Sequence, residues 1–415
     1  MKVPRGFTPQ RAAGLAFALA LAVRLVWAFQ LGNRLVWDDE HMYHRFGTFV
    51  AEWRLLDYTG FSFAPPGQAF TLGAVYAVAG ANVLTARIFL ALVSSASVLL
   101  LYRLVRRLSV GVALISAFAL ALYPLVTYTA ETLYPQTLAL FWLLCAVNVL
   151  TDQVERPSWK RLAGAGVLLG CGALTVPTIL TMCPLLGFWL WWARRAGWRG
   201  VGEVALLAVF VALTLVPWTI RNYRFERRFI PIATIGQQVF FFANNPNADP
   251  DCKDLRLLER VYTPEIKAEI ARTGKADEVY LRHAREFIRN QPGRFLLFYF
   301  KRLGHFFDFV PRTFSSNLHT GPVARLLVGL TSGPVLLLAL AGALGLLRRS
   351  RITALWVLLP LGWALVSALF GVSIRYRVPV EPYILATAAW AVWRYGLRRK
   401  DGLDAEALSA PRAGA

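Results

Sequence analysis

The sequence predicts an all-α polytopic membrane protein with about ten transmembrane helices and further helices that lie in the membrane interface. Of its 415 residues, 56% are hydrophobic and only 17% are charged, which is not the composition of an ordinary soluble domain. Apolar runs of roughly 20 residues, the length that crosses a bilayer, recur along almost the whole chain. We therefore expect a single integral membrane domain over residues 1–396 and a cytoplasmic tail over residues 397–415.

Ten apolar runs are the candidate spans. The first follows a basic N-terminal stretch and lacks a small-residue cleavage site, so we interpret it as an uncleaved signal anchor, which Arg24 interrupts. The two short runs on either side of Pro177 are expected to form a tight hairpin. The ten runs cover residues 11–31, 85–102, 110–127, 134–151, 162–176, 178–193, 201–219, 323–347, 353–371 and 380–396.

Clusters of Lys and Arg between alternate spans predict the orientation. With both termini in the cytoplasm, every short inner loop is basic, as the positive-inside rule requires. This orientation also explains much of the formal net charge of +21, so we expect no nucleic-acid partner. The outer face then receives two long loops, residues 32–84 and 221–322, and short connections around Glu131 and over residues 373–382.

Charged side chains collect in these outer segments. The stretch VWDDEHMYHRFG, which follows the first span, contains Asp38, Asp39 and Glu40 in succession. Three adjacent carboxylates near a low dielectric repel one another, which raises the proton affinity of at least one of them. The cluster is therefore a candidate general base. A simpler interpretation is that the three carboxylates form a solvated charge cluster at a helix end.

Further acidic and basic residues are predicted to face the same membrane surface, namely Glu131, Arg87, Arg375 and Arg377. This combination suits transfer of a sugar from a lipid phosphate, because a carboxylate can deprotonate the acceptor while arginines neutralise the departing phosphate. The simpler interpretation is that these arginines reach to the headgroup layer or pair with anionic lipids.

Six motifs occur in chain order, namely DDE, FAPPGQAFTLGAVYAVAG, LTARIFLAL, PWTIRNY, GQQVFFFANNPNAD and RYRVPVEP. In these motifs the sequence resembles the GT-C superfamily of polyprenyl-phosphate-sugar-dependent glycosyltransferases, in the branch of the protein O-mannosyltransferases and the aminoarabinose transferases that act on lipid A. Two departures bear on acceptor recognition. Val176 stands where the family often has an arginine before proline, and we expect no large soluble domain after the last span.

The resemblance implies a GT-C fold and an inverting transfer from a polyprenyl-phosphate sugar to an extracytoplasmic acceptor at a bacterial cell membrane. It assigns the catalytic carboxylate to Asp39, with Glu40 as its partner and Asp38 as a competitor for the role. Glu131 corresponds to the second acidic position of the family. The residues that it assigns to the donor phosphate are Arg87 and, in addition, Arg375 or Arg377.

The second outer loop is basic, because residues 221–322 carry 17 Lys and Arg against 11 Asp and Glu. Its stretch Arg294–Val310 mixes aromatic and basic residues, which is typical of helices that lie in the membrane interface. We expect an anionic lipid or glycan acceptor that approaches over Lys301 and Arg302. The same charges would also bind anionic membrane lipids.

Two other classes of protein stay open. Glu40, His41 and His44 have the spacing of three ligands on one helix face, as in a metal-dependent hydrolase, but no recognised zinc pattern is present. A lipid or solute transporter would carry its charges near the midplane in paired halves with broken helices. We assign no metal ligands and no cofactor from the sequence, and dependence on a divalent cation stays open.

Overall fold

The computed structural model describes residues 8–54, 59–251, 260–310, 322–371 and 373–397, and over these ranges the chain is helical without a β-strand. The predicted all-α class is confirmed. The tail over residues 398–415 lies outside the described residues.

Seventeen α-helices form the described part of the chain. The first nine are α1 (Pro9–Leu31), α2 (Asp38–Ala51), α3 (Pro66–Ala79), α4 (Val83–Val105), α5 (Val110–Leu122), α6 (Pro124–Ala130), α7 (Gln136–Glu155), α8 (Trp159–Thr175) and α9 (Thr178–Arg194). The others are α10 (Gly197–Glu226), α11 (Ile235–Ala243), α12 (Pro264–Thr273), α13 (Ala276–Asn290), α14 (Pro292–Phe306), α15 (Pro322–Arg349), α16 (Arg351–Ser367) and α17 (Glu381–Ala391). A 3-10 segment, Ile374–Val380, precedes α17.

All ten apolar runs form helices at the predicted places. By length and composition, five of them can cross a membrane by themselves, namely α1, α4, α7, α10 and α15. The pair α5 and α6, bent by 53°, adds a sixth if it counts as one broken span. α8, α9 and α16 have 17 residues each and α17 has 11. For these shorter helices, a complete crossing stays a prediction.

The charge inside the first span has a structural explanation. Arg24 of α1 is fully buried, and its guanidinium donates hydrogen bonds to the carbonyls of Ala121 at 2.9 Å and Leu120 at 3.4 Å. These carbonyls lie where α5 ends before Pro124, which has no N–H with which to continue the helix. Because water cannot satisfy a carbonyl within a bilayer, Arg24 stabilises the bend between α5 and α6.

Small residues allow α8 and α10 to pack closely. A Cβ on Gly166 would lie 2.4 Å from the Cβ of Phe210, and one on Gly170 would lie 2.5 Å from that of Thr214. Glycines four residues apart face the same side of a helix, which is a common way for membrane helices to approach each other. The α8 and α10 interface thus depends on the absence of side chains at these two positions.

We predict that Gly170→Leu destabilises the protein by about 1–3 kcal/mol, because the new side chain must displace Thr214 on α10. Thermal unfolding of the purified protein in detergent measures this change. Gly164→Leu is the matched control, since no atom lies within 4 Å of a Cβ at that position. Equal stability of the two variants would contradict the packing described here.

Candidate active site

Asp39 lies in the first turn of α2, beyond the C-terminal end of α1. Its side chain is 47% exposed, so a substrate can reach the carboxylate. Asp38 is the first residue of α2, but its side chain is outside the described part of the structure.

Glu40, the next residue in the chain, has the opposite environment. Its side chain is fully buried, and one carboxylate oxygen accepts hydrogen bonds from the N–H groups of Val36 at 2.7 Å and Trp37 at 3.1 Å. The other oxygen accepts from the N–H of Leu133 at 3.1 Å and from Arg87 at 3.3 Å. With both oxygens occupied by protein donors, Glu40 is suited to hold structure rather than to accept a substrate proton.

Arg87 of α4 is likewise fully buried. Besides its bond to Glu40, it donates to the backbone carbonyls of Gly32 at 2.5 Å, Arg34 at 2.7 Å and Glu131 at 2.8 Å. It therefore joins the end of α1, the start of α2 and the turn after α6. Its predicted contact with the donor phosphate stays a prediction, and its observed contacts are with protein groups.

The turn over residues 131–135 carries the second predicted acid. Gln68, from the PPGQ motif, fixes this turn by donating to the carbonyl of Leu133 at 2.7 Å. Glu131 is 3% exposed, and within the described residues neither of its carboxylate oxygens has a hydrogen-bond partner. Burial raises the pKa of Glu131 to about 8, against the opposing effect of Arg24 and Arg87. Glu131 is therefore held beneath the surface on which Asp39 is exposed.

Arg375 lies beside Asp39. Its Nη2 is 3.3 Å from Oδ2 of Asp39, and its guanidinium carbon is 4.5 Å from the centre of the Tyr134 ring. The Arg375 side chain is 30% exposed. The structure thus brings together an accessible carboxylate and an accessible arginine from opposite ends of the chain.

Arg377, two residues further on, is fully buried. It donates to the carbonyls of Phe306 at 3.1 Å and Asp308 at 3.0 Å, and it pairs with the buried Glu381. These contacts attach the end of α14 to the segment before α17. Of the two arginines in RYRVP, Arg375 has the exposure that a phosphate ligand needs.

The fold also gives different environments to Lys301 and Arg302, the two basic residues that were predicted to meet the acceptor. Lys301 is exposed on α14 and pairs with Asp251 at 3.2 Å. Arg302 is buried and donates to the carbonyl of Ala368 at 2.8 Å and to Oδ1 of Asn244 at 2.9 Å. Lys301 can therefore meet an acceptor directly, whereas Arg302 anchors α14.

The spacing of Glu40, His41 and His44 does not produce a ligand set in the structure. Glu40 is occupied as described above, and Nδ1 of His44 is 2.8 Å from the hydroxyl of Tyr76. Over the described ranges, no group of three or more His, Cys, Asp and Glu side chains could hold a metal ion.

Sequence reasoning missed Gln68 and Tyr134. Both belong to short motifs, PPGQ and TLYP, that look like ordinary turn sequences. A polar amide directly after two prolines was the available signal for Gln68. Tyr134 had no comparable signal, because its contact with Arg375 depends on the last quarter of the chain.

Comparison with known proteins identifies the class to which this fold belongs. Residues 64–220 match the family described as dolichyl-phosphate-mannose-protein mannosyltransferase. The oligosaccharyltransferase of Archaeoglobus fulgidus in the apo form has a similar fold, with a TM-score of 0.57 and 15% identity over 94% of this chain and 50% of that one. ArnT from Cupriavidus metallidurans in the apo state gives a TM-score of 0.58 and 16% identity over 93% of this chain and 60% of that one.

The protein thus has the fold of the GT-C membrane glycosyltransferases, and the predicted resemblance to this superfamily is confirmed. The chain spans between half and three fifths of the length of these two neighbours. No curated protein matches it in sequence.

We predict that Arg87→Ala costs about 3–5 kcal/mol of stability, because it leaves the buried Glu40 carboxylate without its cation. Arg375→Ala is the matched comparison and should cost less than about 1 kcal/mol, because that pair is exposed to solvent. Thermal unfolding in detergent measures both. If Arg87→Ala is as stable as the wild type but loses donor binding, Arg87 binds the donor phosphate and the structural role described here is wrong.

Proposed function

We propose that this protein is a membrane glycosyltransferase that moves a sugar from a polyprenyl-phosphate-linked donor to an acceptor on the extracytoplasmic face of a bacterial cell membrane. The observation that carries the proposal is the accessible Asp39 and Arg375 pair, with its 3.3 Å separation. A base and a phosphate ligand must both lie within reach of one anomeric carbon, since acceptor, anomeric carbon and phosphate meet in one transition state.

The reaction is a single inverting displacement. Asp39 takes the proton of an acceptor hydroxyl or amine, whose oxygen or nitrogen forms a bond to the anomeric carbon on the face opposite the phosphate. The bond between the anomeric carbon and the phosphate oxygen breaks, and its electron pair leaves with the prenyl phosphate, which Arg375 neutralises. A phosphate needs no protein acid in order to leave, in contrast to the alkoxide that a glycosidase must protonate.

Two considerations support a lipid-phosphate donor. The family matched over residues 64–220 is named for a dolichyl-phosphate sugar. Nucleotide sugars and ATP are absent from the extracytoplasmic face, so a sugar used there must carry its own activation. A prenyl-phosphate sugar does so and reaches Asp39 within the membrane.

The acceptor that we propose is an anionic glycolipid or cell-envelope glycan. Leu296, Leu297 and Phe300 on α14 are each at least half exposed, and Lys301 is exposed beside them. An exposed apolar face next to a basic residue is suited to the membrane interface. An acceptor carried by the bilayer would meet this surface first.

We expect Asp39→Asn to reduce sugar transfer by at least 10²-fold, as loss of a general base does, while the protein stays folded. Purified protein supplied with lipid extract and prenyl-phosphate sugars, with products identified by mass spectrometry, measures the transfer. Asp38→Asn is the control. If Asp38→Asn abolishes transfer and Asp39→Asn does not, Asp38 is the base, and a substrate that is moved but chemically unaltered indicates a transporter.

We expect Lys301→Gln to raise the KM for an anionic acceptor about two- to fivefold, as loss of one exposed charge contact does, with the KM for the donor unchanged. Lys267→Gln, an exposed lysine on α12, is the matched control and should change neither constant. Efficient glycosylation of a soluble peptide that is indifferent to Lys301→Gln would contradict the proposed acceptor class.

A further inference from the structure

Arg375 differs from the buried arginines of the outer face in how it is held. Arg87, Arg302 and Arg377 each donate to at least two backbone carbonyls. Arg375 instead lies between an exposed carboxylate and an aromatic ring. Within the described residues its Nε is buried without a hydrogen-bond partner. Arg377 also has one buried nitrogen, Nη2, without a partner among the described residues, but its side chain is fully buried, whereas that of Arg375 is 30% exposed. Arg375 is therefore the one of these four arginines whose donor capacity a ligand can reach.

The ring of Tyr134 is a suitable support for such a guanidinium. The face of an aromatic ring attracts a cation without accepting its N–H donors. Arg375 also has side-chain hydrogen bonds with Tyr134 and Tyr376, and its Nε, which has no partner among the described residues, keeps a donor for an anion. The Tyr134 ring is itself held by an edge contact with Tyr43, with 6.4 Å between the ring centres. This support positions Arg375 whether or not Asp39 is its partner.

We propose that Arg375 is shared between Asp39 and the donor phosphate, and that Tyr134 is the positioning residue that holds it between them. Donor binding then draws the guanidinium from the carboxylate to the phosphate. This inference rests on the proposed function and adds to it the coupling of donor binding to the activity of the base.

The physical reason is electrostatic. A carboxylate paired with a guanidinium has a lowered proton affinity and is a poor base. When a phosphate takes over the guanidinium, Asp39 loses its cation, and its carboxylate is free for the acceptor when the donor is in place. The other groups that face Asp39 are the hydroxyls of Tyr43 on α2 and Tyr134 in the turn, while Tyr376 faces Arg375 from the 3-10 segment. Arg375 is the cation that pairs with Asp39.

During transfer the proton of the acceptor moves to Asp39 and the electron pair of the broken bond moves to the phosphate oxygen. Both anions are then accounted for, because Asp39 has become neutral and Arg375 balances the new charge on the phosphate. When the prenyl phosphate departs, Arg375 returns to Asp39 as that carboxyl releases its proton. No further reactant is required.

The test is binding of undecaprenyl phosphate to the protein in nanodiscs, with undecaprenol as the probe that has the same tail but no phosphate. If Asp39 competes for Arg375, Asp39→Asn tightens binding of undecaprenyl phosphate about two- to fivefold, as expected for release of one exposed ion pair, and leaves binding of undecaprenol unchanged. In the Arg375→Ala background the same Asp39→Asn change has no effect.

Direct repulsion between Asp39 and the phosphate would give a different result when Asp39→Asn is compared in the wild-type and Arg375→Ala backgrounds. In that case Asp39→Asn tightens binding equally with and without Arg375, and the inference is overturned. Absence of any tightening in the wild-type background overturns it as well. If undecaprenyl phosphate binds no better than undecaprenol in any variant, the proposed donor fails too, so the two failures can be told apart.

Tyr134 has its own readout. Tyr134→Phe keeps the ring and should retain both the binding of undecaprenyl phosphate and its response to Asp39→Asn. Tyr134→Leu removes the ring and should weaken that binding and abolish the response. If the Phe and Leu variants bind undecaprenyl phosphate equally and respond equally to Asp39→Asn, Tyr134 is not the positioning residue.

Discussion

The buried ion pair between Glu40 and Arg87 is the interaction on which the candidate active site of this protein depends. Two opposite charges removed from water are tolerated when hydrogen bonds satisfy the remaining donors and acceptors. Glu40 accepts three backbone N–H groups and Arg87 donates to three backbone carbonyls. The pair thereby joins the end of α1, the start of α2, α4 and the turn over residues 131–135.

This junction explains why neighbouring acids have different roles. Because Glu40 turns inward to reach Arg87, the preceding residue on the helix points in another direction, and Asp39 stays accessible. The turn that Glu40 holds also carries Tyr134, which in turn supports Arg375. The geometry of the proposed base and of the proposed phosphate ligand thus both depend on one buried pair that takes no part in the chemistry.

The arginines of this protein show that a basic residue in or near a membrane can have several structural roles. Arg24 satisfies carbonyls at a helix bend, while Arg302 and Arg377 attach α14 to the bundle. Buried among backbone carbonyls, they are not available to lipid headgroups. Arg375 is the exposed arginine next to an exposed acid, which is why the proposed chemistry is placed there.

Much of the fold followed from local properties of the sequence. The places of the ten apolar helices follow from hydropathy alone, since the bilayer requires continuous apolar helices whatever their neighbours are. The ends of helices follow from short-range signals, such as the Asn82 cap of α4 and the left-handed Gly274 after α12. The six sequence motifs indicated the GT-C class because each motif is a contiguous stretch and is therefore visible in the sequence alone.

The roles of individual charges could not be obtained in this way. The sequence shows Asp38, Asp39 and Glu40 as equivalent neighbours and Lys301 and Arg302 as one basic pair. Burial separates Asp39 from Glu40 and Lys301 from Arg302, and burial depends on which distant element packs against each side chain. Asp39 and Arg375 are 336 positions apart in the chain. By itself, therefore, the sequence determined the membrane class, the helices and the candidate residues. Only the tertiary structure decided which of those residues are accessible and which are buried in contacts that hold the fold, because that outcome depends on long-range contacts that no local pattern encodes.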